Sequence, residues 1–119
     1  MQDPDPDDRD KVVASFDLTD LAARQMAGAR SYLPFFENDT MSMGLYVLKA
    51  GGKDEQSPHK QDEVYVIDKG RAVLRVEDKD HPVRKGSVVF VRARAAHHFH
   101  SIEEDLSVLV FFSKSAPGP

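Results

Sequence analysis

The sequence of 119 residues contains no cysteine, which excludes disulfides, thiolate zinc sites and cysteine nucleophiles together. No apolar run approaches the ~20 residues of a membrane helix. Residues 3–8 read Asp-Pro-Asp-Pro-Asp-Asp, where a secretory leader has a basic end and an apolar stretch. The cytoplasm is therefore the expected location, with no membrane partner. A phosphate-cradling loop is also missing, since Gly51-Gly52 is followed by no Gly-Lys-Ser/Thr signature. Net charge is only −4, and the five aspartates and one arginine of residues 1–10 account for all of it. The formally neutral remainder has no global field to attract a phosphate backbone. Arg71, Arg75, Arg84, Lys85, Arg92 and Arg94 then read as cations solvating the outside of a sheet, and no nucleic-acid partner is expected.

What is present is enough for one core: 40% of residues are hydrophobic and 30% charged. Residues 1–10 read as a disordered acidic tail and residues 114–119, ending Pro-Gly-Pro, as a second one. Thr19-Asp20 ahead of an apolar-periodic segment, closed by Gly28, predicts a short helix. Residues 11–36 are expected to hold this helix and a strand segment that pack on the main domain, residues 37–113. There the period is two. Met41, Met43, Leu45 and Val47 alternate with Ser42, Gly44, Tyr46 and Leu48, and short β-rich runs follow at 64–67, 72–76, 88–91 and 106–112. Asp68-Lys69-Gly70 and Glu77–Asp80 read as turns between runs, and His81-Pro82 as an exposed turn. The fold class is all-β, a small antiparallel barrel with a short N-terminal helix. Several runs are apolar on both faces, as expected where a second sheet or subunit covers the outside.

The polar residues of chemical interest fall into two groups. On an extended strand Ser57, His59, Gln61, Glu63 and Tyr65 share one face, which puts an imidazole, an amide and a carboxylate together. Such groups are costly on an inward face unless they bind something. In the second group His97, Phe99 and Ser101 share a face while His98 and His100 share the opposite one, and parity alone leaves open which set is inward. Ser57-Pro58-His59 lacks an evident third group and is not read as a nucleophile–base pair.

These residues resemble the cupins. The first cupin motif is Gly, five residues, His, one residue, His, three residues, Glu, six residues, Gly. Gly51, Ser57, His59, Glu63 and Gly70 fall on that spacing, with Ser57 in the place of the first histidine. The second motif is Gly, five residues, Pro, one residue, Gly, two residues, His, three residues, Asn. Gly86, Arg92, Arg94, His97 and Ser101 occupy those places. The resemblance implies a double-stranded β-helix (jelly roll) with a divalent transition metal in its mouth. Carried over position by position, the ligands are His59, Glu63 and His97, and His98 and His100 lie outside. Two imidazoles and a carboxylate suit iron(II), and also manganese, nickel or zinc. Ser57, Gln61, Tyr65 and Phe99 are the expected pocket residues around a small organic substrate or ligand, and Ser57→His should tighten metal binding. The family's dioxygenase, isomerase and lyase chemistries all remain open. The alternative is a metal-free binding or sensory module. A homodimer is expected in either case, with residues 11–36 contributing to its contact.

Overall fold

Residues 4–114 are described by the structure, a computed structural model. Alternating apolar residues form six antiparallel strands: β1 (Tyr32–Glu37), β2 (Met41–Leu48), β3 (Glu63–Val76), β4 (Lys79–Arg84), β5 (Val88–Val91) and β6 (His97–Ser113). Their order in the sheet is β1-β2-β6-β3-β4, with β5 also paired to β3. β3 and β6 form the spine, in register from Glu63 opposite Phe112 to Val76 opposite His97. That register slips three times between Ile67 and Val73. At the slips the two-stranded ribbon bends, so its halves enclose the main core of Tyr65, Ile67, Leu74, Phe99, Leu106 and Val108.

The bend corrects one expectation. Asp68-Lys69-Gly70 is not a turn between two strands but the bulged centre of one 14-residue strand. Gly70 has φ +92°, and a Cβ there would lie 2.3 Å from the Asp105 carbonyl oxygen. Only glycine permits both the dihedral and the close approach of β6. His81-Pro82 is likewise not a turn. It lies in β4, at the end of the strand order, opposite Leu74 and Val73. An outer strand tolerates proline because its backbone need not donate on both sides.

The helix α1 (Leu18–Ala27) is capped by Asp17, two residues before Thr19. The Asp17 side chain accepts from the Thr19 backbone N–H, and Gly28 ends the helix. Leu21 of α1 packs against Phe35, Phe36 and Leu45 in a second cluster. Much of the two-sided apolarity of β2 is thereby explained within one chain: its outer face lies under α1. The acidic segment, expected to be disordered, is placed from Pro4 onwards. Pro6–Asp10 forms a 3-10 turn, and Asp8 is buried, accepting from the Glu37 backbone N–H at 3.2 Å and from Lys11 Nζ at 2.8 Å. A charged side chain with two donors can sit where an unpaired one could not. The C-terminal tail lies, from residue 115, outside the described residues. No helix among the described residues is long and apolar enough to cross a membrane.

Candidate metal centre

Glu63 opens β3 and His97 opens β6, at opposite ends of the antiparallel register. In a flat ribbon they would be roughly 40 Å apart at the usual rise per residue. The bend at Ile67–Val73 folds the ribbon back, and Glu63 Oε1 lies 2.7 Å from His97 Nε2 with both side chains buried. His59, on the irregular segment before β3, completes the group. One donor atom from each of the three residues lies within 4.8 Å of the others. The His59 ring is 5.5 Å from that of His97 and 5.1 Å from Phe112. Its carbonyl accepts from the Arg94 N–H at 2.6 Å, which ties this segment to the loop before β6.

The hydrogen bonding around these atoms is unusual. His97 Nδ1 donates to the Ala95 carbonyl at 2.8 Å, which leaves Nε2 as a bare acceptor in the neutral ring. Despite the close approach, His97 Nε2 and both Glu63 oxygens are buried without a hydrogen bond. Buried polar atoms in that state are rare and costly. Either a metal ion or a second proton on His97 would relieve them. Burial opposes the charged imidazole, yet the Glu63 carboxylate and the Ala95 carbonyl outweigh it and hold the His97 pKa above its ordinary value. The donor set and the orphaned atoms therefore fit a divalent cation.

A cavity of about 380 Å³ opens beside His59 and Glu63. Tyr32, Tyr46, Tyr65, Gln56 and Gln61 contribute polar groups to its wall, and Phe112 an apolar one. Among the described residues no lysine or arginine lines it. Burial first, and the Glu63 carboxylate second, push Tyr32 up to about 12 and Tyr65 further in the same direction. Burial and then the hydrogen bond to Asp54 raise Tyr46. All three phenols thus stay protonated at neutral pH. Tyr32 reaches this place because Gly44 has no side chain: a Cβ there would lie 2.1 Å from the Tyr32 ring.

Of the expected pocket residues, Gln61 and Tyr65 line the cavity, while Phe99 is buried behind Tyr65 with ring centroids 5.2 Å apart. Ser57 is exposed and outside the lining. A shared face for residues 57–65 requires an extended strand, whereas the chain is irregular until Glu63. Gln56 stands beside His59 instead, its Oε1 3.4 Å from His59 Nε2. Tyr32, Tyr46, Asp54 and Gln56 went unread in the sequence. Tyr46 had a signal, since Ser42, Gly44 and Tyr46 share one face of β2. His97 is inward, and His98 points outward with His100 half-exposed beside Asp80 at 2.9 Å. Gly51, Gly70, Gly86, Arg94 and Ser101, five places of the two motifs, all have positive φ.

Residues 44–112 match the family described as Cupin domain. The uncharacterized protein SCO3923 of Streptomyces coelicolor is 50% identical over 99 residues, covering 83% of this chain and 94% of that protein. Among solved structures, TT1209 of Thermus thermophilus is similar at TM-score 0.67 and 24% identity, covering 83% of this chain and 95% of that one. An RmlC-like cupin family protein of Methanocaldococcus jannaschii with a double-stranded β-helix fold matches at TM-score 0.64 and 19% identity, covering 69% and 77% of the two chains. The DMSP lyase DddQ of Ruegeria pomeroyi matches at 0.63 and 20% identity, with 71% of this chain and 43% of that one covered.

Proposed function

We propose, for a chain that belongs to the cupin family, that it holds one divalent transition-metal ion on His59, Glu63 and His97 and presents it to a small organic molecule in the adjoining cavity. The observation that carries this is the set of buried atoms without hydrogen bonds, both Glu63 oxygens and His97 Nε2. A metal bound there supplies Lewis acidity to a ligand oxygen. Iron, manganese, nickel and zinc all accept this donor set. Tyr32 and Gln61 offer hydrogen-bond donors from the cavity wall, while the hydroxyl protons of Tyr46 and Tyr65 go to Asp54 and Gln56. Neutral donors without a fixed cation suit a neutral or singly charged, oxygen-bearing molecule, and the cavity volume is within the range of small-molecule sites. Dioxygenase, isomerase and lyase reactions all fall within this proposal, and the likeness to a DMSP lyase supports including the last.

A second reading has its own observation. The 2.7 Å contact and the raised His97 pKa suit an imidazolium–carboxylate pair in a metal-free binding module. Calorimetric titration of chelator-stripped protein with manganese, iron(II), nickel and zinc separates the two. The metal reading predicts saturation near one ion per chain for at least one of them. No binding of any would leave the ion-pair reading.

The proposed assembly is a homodimer. α1 covers the β1–β2 end of the outer face, but Val88 and Phe90 on β5 are 68% and 61% exposed. They sit opposite Val66 and Val64, which pair in turn with Leu109 and Phe111. An apolar stripe of this kind favours a second copy, and the exposed Val12 and Val13 lie in the segment expected to contribute. Light scattering at micromolar concentration should return twice the chain mass of 13.3 kDa, and Phe90→Asp should halve it. The single-chain mass for the unmodified protein would contradict the dimer.

A further inference from the structure

Asp54 is buried and takes three donors: the Tyr46 hydroxyl at 2.5 Å on Oδ1, and the Phe99 backbone N–H at 2.8 Å and Gln56 Nε2 at 2.6 Å on Oδ2. An ionised carboxylate only accepts, so the Gln56 amide must turn its NH₂ towards Asp54. Its oxygen then faces the other way, where it accepts from the Tyr65 hydroxyl at 3.2 Å and lies 3.4 Å from His59 Nε2. The Tyr65 hydroxyl occupies one lone pair of Oε1 and leaves the other. With Nε2 as its ligating atom, His59 carries its proton on Nδ1, and Nε2 and Oε1 are two acceptors side by side. Two donors each ~2.0–2.1 Å from one tetrahedral ion stand about 3.3 Å apart. That is close to the separation found.

We infer that Gln56, through Oε1, supplies a fourth protein ligand beside His59, Glu63 and His97, an inference that rests on reading those three as metal ligands. It moves the first-ligand role of the motif by one residue, from the exposed Ser57 to its neighbour. Asp54 is the positioning residue, fixing which end of the amide faces the site. The change follows from the irregular backbone before Glu63, where strand parity does not govern side-chain direction.

The test is cobalt(II) binding to the stripped protein, with affinity from chelator competition and the visible absorption of the bound ion reporting its donor set. Gln56→Leu keeps the side-chain bulk and should weaken cobalt about 10–100-fold, the scale set by loss of a group that supports a metal. Its spectrum should also change. Ser57→Ala and Ser57→His should both match the unmodified protein in affinity and spectrum. Circular dichroism melts confirm that each variant is folded. A Gln56→Leu protein with unchanged affinity and spectrum, while His97→Ala loses the metal, overturns the ligand role of Gln56 and leaves the three-residue site standing. Weaker binding with an unchanged spectrum also overturns it, because Gln56 would then only support a ligand. An unmodified protein that binds no cobalt removes both readings at once.

Discussion

His97→Ala should reduce metal affinity by at least 100-fold, whereas His98→Ala should leave it unchanged. The two side chains are neighbours in sequence and opposite in direction. His97 is buried with Nε2 aimed at Glu63, and His98 is exposed on the other face of β6. Removing His97 takes away a proposed imidazole ligand and leaves the Glu63 carboxylate buried without the ring that lies 2.7 Å from it. Folding of the variant should therefore weaken as well, and the stripped form gives a control: its melt separates lost stability from lost metal. Equal affinities in the two variants would place the metal elsewhere.

Gly70→Ala should be strongly destabilising. Its φ of +92° lies outside the region where an alanine is comfortable, and the added Cβ would meet three backbone atoms of Asp105 and Leu106 within 2.9 Å. Backbone cannot swing aside as a flexible side chain can. Strain of this kind costs about 1–3 kcal/mol from the dihedral alone, and displacement of β6 adds to it. A melting temperature lower by roughly 10 °C or more is expected. Gly51→Ala is the matched control, since Gly51 has φ +74° but nothing within 4 Å of a Cβ. It should cost only about 1 kcal/mol. Because the Gly70 bulge helps fold Glu63 back onto His97, Gly70→Ala should weaken metal binding too. Equal melting temperatures for the two variants would show that the bulge does not hold the ribbon's bend.

Much of this architecture was legible because it is local. The alternation of Met41–Leu48 marked out β2, and the resemblance to the cupin motifs pointed to His59, Glu63 and His97, whose donor atoms the fold brings within 4.8 Å. What was missed depends on partners remote in sequence. Asp68-Lys69-Gly70 reads equally as a turn or a bulge until β6 is alongside. Asp8 looks like a solvated tail residue until the N–H of Glu37, 29 residues on, reaches it. The helix was legible, but not which strands its apolar face meets, Leu45 of β2 with Phe35 and Phe36 of β1. Ser57 was placed by strand parity in a stretch that is not a strand. Gln56 carried no signal, since its direction is set by Asp54, itself anchored on Tyr46 and the Phe99 backbone.

Glu63 and His97, buried without hydrogen bonds on Nε2 and both carboxylate oxygens, are proposed as ligands of one metal ion. Elemental analysis of protein purified without a histidine tag tests it most directly. The expected result is close to one transition-metal ion per chain, lost in His97→Ala and retained in His98→Ala. Protein that carries no metal as purified, and takes up none when supplied with iron, manganese, nickel or zinc, would contradict the claim.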